Sequence, residues 1–257
     1  MMNQAPSIHV MEGRGRNIAV RDRKQLSEPE KDLLDLYHDR EFFPTPPWAV
    51  RAVLARLSPV LNLSQFQLYD PCAGQGHIGF TLKKLGLQVH MSDLYDYGLD
   101  HPIADALEFS APGEPSLSAI LTNPPFSGPD YSTAKPTLAE LIVRQGLRSC
   151  RYVIVLARLS FLVGPRRYDL HHANPLGNLR YMLPNYDRVS MVLGQYDQRA
   201  KTATETAWFV YEQGYTGRFE TIDIPPGSRR QFEMPQDALM CVQSILDRPD
   251  IAAYLAT

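Results

Sequence analysis

Short apolar runs that end abruptly at polar residues recur along the chain, and such runs predict the buried strands of a parallel sheet. One run, residues 119–121, leads through a threonine to Asn123, Pro124, Pro125 and Phe126. Two successive prolines fix two φ angles and remove two N–H donors, so the strand must stop there in a rigid turn. This turn either presents an amide oxygen and an aromatic ring to a ligand, or simply ends a strand while Phe126 joins the core.

Apolar residues at helical spacing predict helices between and around these runs. A capping box at residues 27–30 predicts a short helix that reaches Tyr37. The alternation of predicted strands and helices is typical of an α/β fold. The other predicted helices lie at residues 48–57, 78–85, 138–142 and 234–246.

The second half of the chain has a less regular pattern. Residues 152–156 predict its clearest buried strand, and residues 161–185, with three prolines, predict a short helix and irregular loops. Residues 189–193 and 207–211 predict two final strands, which a polar loop at residues 194–205 joins. So short a connection favours an antiparallel hairpin.

A glycine-rich turn follows the predicted strand that ends at Asp70, and a helix is predicted after the turn. Gly74 and Gly76 allow the backbone to approach a ligand closely, although any tight turn between a strand and a helix could carry them. Asp93 stands 17 residues after Gly76, at the end of the next predicted strand. An acidic residue at this place in dinucleotide-binding folds accepts both ribose hydroxyl protons, so Asp93 is a candidate ribose ligand.

Four polar residues therefore stand at or near the carboxyl ends of predicted strands, namely Asp70, Asp93, Asp105 and Asn123. Open α/β sheets bind their ligands at this edge. The sequence predicts one ligand site that these four residues share.

The chain has 257 residues, enough for one large α/β domain or two small ones, and no internal repeat or second domain boundary is evident. Three widely spaced cysteines, Cys72, Cys150 and Cys241, argue for a reducing compartment and against a disulfide framework or a zinc site. His171 and His172 have no carboxylate or cysteine at ligand spacing, so no metal site is predicted.

No apolar run approaches the roughly 18 residues of a membrane span, and the N-terminus lacks the apolar segment of a secretory signal. A cytoplasmic protein without a membrane partner is expected, in a bacterial cell or its nucleoid. The net charge is −2, but residues 135–201 carry 11 Lys or Arg and 4 Asp or Glu, a net charge of +7. A basic face beside Asn123 would attract a polyanion, although a solvated surface explains these charges equally well.

The chain resembles class I S-adenosylmethionine-dependent methyltransferases of the amino-methylating type, whose motifs occur in the same order. Residues 43–49, 92–98, 189–192 and 202–210 are similar, more narrowly, to small phage- and prophage-encoded adenine methyltransferases. The resemblance covers about residues 40–215. It is carried by Phe43-Pro44-Thr45-Pro46, Asp70-Pro71-x-x-Gly74-x-Gly76, Asp93, Asp105 and Asn123-Pro124-Pro125-Phe126.

This resemblance implies a Rossmann-like class I methyltransferase fold, which is a mostly parallel seven-stranded sheet with an antiparallel terminal hairpin and helices on both faces. It divides the chain into a flexible N-terminal tail at residues 1–26, a catalytic domain at residues 27–225 and a C-terminal helical tail at residues 226–257. Within the catalytic domain, residues 160–205 would hold the insertions that contact nucleic acid.

The resemblance also implies a place for each part of the cofactor, S-adenosylmethionine. Thr45 and its turn would meet the methionine carboxylate, and Asp70 with the glycine turn would hold the rest of the amino-acid portion. Asp93 would bind the ribose hydroxyls, and Asp105 the adenine amine. The implied cofactor contacts are Phe43, Thr45, Pro46, Asp70, Cys72, Gly74, Gly76, Asp93, Leu94, Asp105, Ala106 and Asn123.

On the substrate side, the resemblance implies DNA, with the N6 amine of a flipped adenine as the methyl acceptor. Asn123 and the Pro124 carbonyl would accept hydrogen bonds from this amine, Pro125 would stiffen the turn, and Phe126 would stack on the base. RNA bases, including adenine N6 and guanine N2, and cytosine N4 in DNA stay open as alternatives, as does a non-catalytic protein that binds cofactor or DNA.

One departure from the family concerns sequence recognition. Restriction-type relatives carry a large separate target-recognition domain, whereas here only residues 160–185, the loop at residues 194–205 and the tails remain. Specificity is then short or relaxed, or a second subunit of a homodimer supplies it. The expected phosphate contacts in this region are Arg166, Arg167, Arg199 and Lys201.

Overall fold

The fold centres on one β-sheet, which the computed structural model shows within its described residues, 40–126, 136–191 and 204–240. Seven strands pair in the order β2-β1-β3-β4-β6-β5-β7. In chain order they are β1 (Gln67–Asp70), β2 (Val89–Met91), β3 (Ser118–Thr122), β4 (Tyr152–Arg158), β5 (Leu179–Pro184), β6 (Thr206–Glu212) and β7 (Glu220–Thr221).

The directions of the strands bring their polar ends to one edge of the sheet. β1 is parallel to β2 and β3, and β3 is parallel to β4. β6 is antiparallel to both β4 and β5, so β5 runs in the same direction as β4, and the short β7 is parallel to β5. The predicted mostly parallel sheet with an antiparallel hairpin is confirmed. The carboxyl ends of β1 to β5 share one side, which we call the carboxyl edge.

Helices cover both faces of this sheet, as predicted. They are α1 (Pro47–Leu57), α2 (His77–Lys84), α3 (Leu138–Gly146), α4 (Pro165–His172) and α5 (Ser228–Phe232). Alternate residues of a strand point to opposite faces, and β3 illustrates the result. Ala119 and Leu121 pack in the core that contains α1 and α2, whereas Ile120 packs in the core that contains α3 and α4.

Local sequence explains where the helices around the carboxyl edge begin. Pro47 starts α1, a position where its missing N–H group has no intrahelical partner to lose. Gly76 precedes α2 with a φ of 78°, in the left-handed region that favours glycine. Thr137 caps α3, since its side-chain oxygen accepts the N–H of Glu140 at 3.3 Å. The three helices predicted at these places are confirmed, and α4 is the predicted short helix.

One predicted strand is wrong, and an unpredicted strand takes its place. Residues 189–191, the described part of the strand predicted at residues 189–193, belong to no strand, although Val189 and Met191 are buried. The antiparallel partner of β6 is instead β5. The apolar residues at 189–191 therefore indicated burial but not a strand, because a loop that packs into a core can have the same apolar sequence as a strand. The two hairpin strands are joined by the long segment 185–205.

Some predicted segments lie outside the described residues. These include the helix predicted at residues 27–37, the N-terminal tail, Arg199 and Lys201. The described part of the predicted C-terminal helix is a 3-10 helix, Pro235–Met240. The domain boundaries therefore stay predictions. No helix in the described part of the chain has the length and apolar character that crossing a membrane requires.

Candidate active site

A cavity of about 360 Å³ lies at the carboxyl edge of the sheet. Asp70 is the last residue of β1, Asn123 directly follows β3, and Asp93 lies two residues beyond β2. The fold thus gathers residues that are far apart in the sequence. The sequence-predicted residues that line the cavity are Phe43, Thr45, Asp70, Cys72, Gly74, Asp93, Leu94, Asp105, Ala106, Asn123 and Pro125.

Four other predicted residues are not among those that line the cavity. Pro46 and Pro124 are buried, and Gly76 supports the turn that leads into α2. Phe126 is half-buried and packs against the core that contains α3 and α4. The ring that the resemblance assigns to the target base is therefore partly engaged with the core, as the simpler interpretation of the turn expected.

Asp70 is a buried acid with one unused oxygen. Only 1% of the residue is exposed, and its Oδ1 accepts the hydroxyl of Thr122 at 2.7 Å. Its Oδ2 has no hydrogen-bond partner among the described residues. Burial raises the pKa of Asp70 to about 7, against the smaller lowering effect of the Thr122 hydrogen bond. A cationic group that reached Oδ2 would find a preformed acceptor.

The glycine turn owes its residue types to close packing as well as to its backbone angles. Gly74 and Gly76 have φ values of 51° and 78°. A Cβ atom on Gly74 would lie 2.6 Å from the ring of Phe42, and one on Gly76 would lie 2.4 Å from the ring of Phe80. Within the described residues, the start of α2 has no side-chain cap.

Asp93 is a second buried carboxylate, and its two oxygens hold backbone groups in place. Oδ2 accepts the N–H of Gly74 at 2.8 Å, and Oδ1 accepts the N–H of Tyr95 at 3.0 Å. Burial raises the pKa of Asp93, while these two hydrogen bonds act in the opposite direction. Each carboxylate oxygen has a further lone pair, so Asp93 can still accept hydroxyl protons from a ligand.

Asp105 also lines the cavity and is exposed. Its Oδ1 accepts the N–H of Leu107 at 2.8 Å, which shapes a tight turn. The strand that the sequence predicted before Asp105 is reduced to an isolated parallel bridge between Asp93 and Ile103. This bridge is still enough to bring the two acids to the same cavity.

Asn123 presents a buried acceptor whose direction is fixed by its other end. Its Nδ2 donates to the Phe43 carbonyl at 2.9 Å and lies 3.6 Å from the sulfur of Met191. Because a carbonyl only accepts, the nitrogen must be on that side, and Oδ1 must be on the other. Oδ1 is buried and has no hydrogen-bond partner among the described residues. The amide is therefore a preoriented acceptor at the cavity.

The predicted phosphate contacts are only partly placed by the structure. Arg167 donates to the Val163 carbonyl at 2.8 Å, lies 3.5 Å from Glu140, and stacks over the ring of Phe161. Arg166, beside it at the start of α4, is half-buried, and neither arginine lines the cavity.

Ion pairs neutralise part of the basic segment. Its arginines reach acidic residues near the end of the described chain, and these contacts join Arg151 to Glu212, Arg180 to Glu220, and Arg188 to Glu205. The positive charge of residues 135–201 is therefore partly compensated by acidic residues that follow this segment in the sequence. This favours the solvated-surface explanation for those three positions.

Sequence reasoning missed part of the cavity wall. The guanidinium of Arg40 lies 4.7 Å from the centre of the Tyr95 ring and 5.4 Å from that of Tyr97. Leu138 and Ile142, one turn apart on α3, supply an apolar side. The two tyrosines follow the candidate ribose ligand Asp93 closely in the sequence, and this could have identified them as part of the site. The hydrophobic pattern of α3 gave no indication that Leu138 and Ile142 face a ligand cavity. The described residues contain no group of three His, Cys, Asp or Glu side chains that could hold a metal ion.

In comparisons with known proteins, similarity to this chain is found in its structure and not in its sequence. No protein-family model matches it, and no curated protein matches its sequence. A proposed RNA methyltransferase from Pyrococcus horikoshii is similar with a TM-score of 0.50 and 14% identity, over 73% of this chain and 99% of that chain.

Two further solved structures are less similar. The methyltransferase subunit of a type I restriction-modification system from Streptococcus thermophilus has a TM-score of 0.49 and 17% identity, over 83% of this chain and 52% of that one. Magnesium protoporphyrin IX methyltransferase from Synechocystis, with bound S-adenosylmethionine, has a TM-score of 0.41 and 13% identity, over 77% and 93%.

Identities this low bear on the fold alone. The order and directions of the strands, the helices on both faces and the likeness to the Pyrococcus protein agree with one another. The chain has the Rossmann-like class I methyltransferase fold.

Proposed function

We propose that the protein is an S-adenosylmethionine-dependent methyltransferase that acts on the N6 amine of adenine in DNA. The observation that carries this proposal is Asn123, whose Oδ1 is buried without a hydrogen-bond partner among the described residues and which lines a cavity together with four acidic residues. This amide oxygen is fixed and has no donor within the described residues, so a donor from a ligand would complete its hydrogen bonding.

The residues present fit the proposed cofactor. The unused Oδ2 of Asp70 suits the methionine ammonium group, and Asp93 suits the two ribose hydroxyls. Asp105 lines the same cavity as the apolar residues Ala106 and Leu107, and it could accept the adenine amine. A cavity of about 360 Å³ is within the usual size of small-molecule sites. When bound, S-adenosylmethionine supplies a methyl group that its sulfonium already activates.

Asn123 would orient the acceptor amine of the target base. The lone pair of an adenine amine is spread into the ring, which makes the nitrogen a poor nucleophile. Acceptors at the Asn123 Oδ1 and the Pro124 carbonyl would hold its two N–H bonds and favour a tetrahedral nitrogen whose lone pair points at the methyl group. In such a transfer the carbon–sulfur bond would break as the nitrogen–carbon bond forms, S-adenosylhomocysteine would leave, and the amine proton would be released to solvent.

The choice of DNA rests on the narrower resemblance of residues 43–49, 92–98, 189–192 and 202–210 to small phage- and prophage-encoded adenine methyltransferases. Extrusion of a base costs a few kcal/mol, and stacking on an aromatic ring recovers roughly 1–3 kcal/mol. Phe126 is the proposed stacking ring, since it is half-buried and therefore keeps an exposed part beside the turn. DNA is the proposed partner.

The test is methyl transfer from labelled S-adenosylmethionine to DNA and to RNA of matched sequence, followed by nucleoside separation. We expect the label in N6-methyladenine from DNA. Label in RNA alone, or in cytosine, would replace the proposed substrate. If S-adenosylhomocysteine binds but no nucleic acid accepts the methyl group, the proposal of a nucleic-acid methyltransferase is wrong.

A further inference from the structure

Gly74 is held from three sides by residues of other segments. Its N–H donates to the Asp93 Oδ2 at 2.8 Å, and its carbonyl lies 3.3 Å from the Nε2 of His101. The ring of Phe42 occupies the space where a Cβ atom would stand. Glycine has more backbone freedom than any other residue, so its conformation must be fixed by such outside contacts.

Two of these contacts come from the ends of one loop, residues 93–101, which we call the Asp93 loop. Its base is closed by two backbone hydrogen bonds, from the N–H of Asp93 to the Pro102 carbonyl at 3.3 Å and from the N–H of Ala104 to the Asp93 carbonyl at 2.8 Å. The loop therefore starts and ends at the same place, and Asp93 and His101 approach Gly74 together.

The interior of the Asp93 loop is anchored as well. Tyr97 is only 2% exposed, and its ring centre lies 4.9 Å from that of Phe42. The N–H of Gly98 donates to the Asp96 side chain at 2.7 Å, which fixes the turn beyond it. A loop fixed in this way holds Asp93 and His101 in place against the glycine turn.

His101 itself does not line the cavity. It is half-buried, and its Nε2 must carry a proton because the Gly74 carbonyl can only accept. Its Nδ1 is buried and has no hydrogen-bond partner among the described residues. Within the described residues, the imidazole thus makes one hydrogen bond, to the backbone of the glycine turn, and its charge also acts on Asp93.

We infer that His101 is a positioning residue for the cofactor site, an inference that rests on the proposed function. By holding the carbonyl of Gly74, it keeps the following peptide from rotating and keeps the N–H of Gly74 on Asp93. Asp93 then faces the cavity in the orientation that ribose hydroxyls require. Preorganisation of this kind lowers the entropic cost of binding without adding a contact to the ligand.

The test compares His101→Leu, which removes the donor, with His101→Gln, which keeps an N–H group. The matched control is His90→Leu, because His90 is exposed on β2 and stacks on Tyr69 away from the glycine turn. Binding of S-adenosylhomocysteine is measured by calorimetry, and kcat is measured at saturating cofactor.

We expect His101→Leu to weaken binding about tenfold, and His101→Gln no more than about threefold, which corresponds to the loss or retention of one hydrogen bond. The value of kcat at saturating cofactor should stay within about twofold, because the effect is on binding. The control should bind as the wild type does.

Two results would overturn the inference while leaving the proposed function intact. One is wild-type affinity in His101→Leu, and the other is an equal loss in both His101 variants, which would indicate a role in packing. If the wild-type protein itself fails to bind S-adenosylhomocysteine, the proposed function fails, and the inference about His101 fails with it.

Discussion

At the residue scale, Asp70 should control how cofactor binding depends on pH. Burial raises its pKa to about 7, so the ligand-free protein carries a neutral carboxyl group there in mildly acidic solution. A ligand ammonium group favours the ionised form, and binding at low pH must therefore release a proton. We expect the affinity for S-adenosylhomocysteine to rise up to about tenfold per pH unit below pH 7 and to level off above it, as measured by calorimetry.

Asp70→Asn is the control for this dependence. Its affinity should be low and should not follow pH in the same window; a wild-type affinity that is constant across the window would contradict the role of Asp70. The sign for stability is opposite. Because the folded-state pKa lies above the ordinary value of 3.8, the contribution of Asp70 is present at low pH and is lost as the pH rises through about 7.

Asn123 should separate chemistry from binding. Asn123→Ala removes the preoriented acceptor, so kcat should fall by roughly 100-fold or more, while S-adenosylhomocysteine affinity should change only about threefold. Methyl transfer at saturating cofactor and calorimetry check the two effects. Asn123→Asp is a graded control, because it keeps one acceptor but turns a second oxygen towards the Phe43 carbonyl. Full activity in Asn123→Ala would rule out the proposed mechanism.

Much of the site could be predicted at this scale because its residues stand at strand ends. Asp70 and Asn123 are revealed by the point where an apolar run stops, and Asp93 by its distance from the glycine turn. His101 and Phe42 could not be found in this way. Their contacts with Gly74 span 27 and 32 residues of sequence and depend on how a loop folds back. No local pattern records such a contact.

At the element scale, β5 shows where pattern reading fails. Its sequence ends in a proline and contains Arg180, so it looks less regular than the buried loop at residues 189–191. What makes β5 a strand is its ladder with β6, since pairing satisfies backbone groups that a pattern of side chains cannot reveal. Helices α1 to α3 were predictable because each carries its own apolar face.

The attachment of α4 to β6 should weaken in acid. His171 is buried, its Nε2 donates to the Phe161 carbonyl at 3.0 Å, and its Nδ1 accepts the Tyr211 hydroxyl at 2.9 Å. Burial lowers the pKa of His171 to about 4, below its ordinary 6.5. The stabilising contribution is therefore present above pH 6.5 and is lost as the pH falls towards 4.

Thermal unfolding of the wild type and of His171→Gln checks this expectation. Glutamine keeps polar contacts but does not titrate, so its Tm should fall less between pH 7 and about pH 4.5. Parallel losses of Tm in the two proteins would show that other groups cause the acid sensitivity.

At the scale of the whole molecule, neighbouring arginines should serve different purposes. Arg167 is paired with Glu140, whose side chain is only 3% exposed, so Arg167→Gln should cost roughly 1–3 kcal/mol of unfolding free energy. Arg166 has no such partner in the described contacts, and Arg166→Gln should weaken DNA binding and reduce its salt dependence by about one phosphate contact. Denaturant unfolding and fluorescence anisotropy at several salt concentrations measure these effects. An unchanged salt slope in Arg166→Gln would remove that residue from the DNA interface.

The hydrogen bond between Asn123 and the Phe43 carbonyl joins two segments that lie 80 residues apart in the sequence. Phe43 belongs to the loop assigned to the cofactor, and Asn123 belongs to the turn assigned to the acceptor base. A ligand that fixes the first loop also aims the amide of the second. Bound cofactor should therefore raise the affinity for the acceptor base. Because coupling free energies are reciprocal, the bound base should tighten cofactor binding by the same factor.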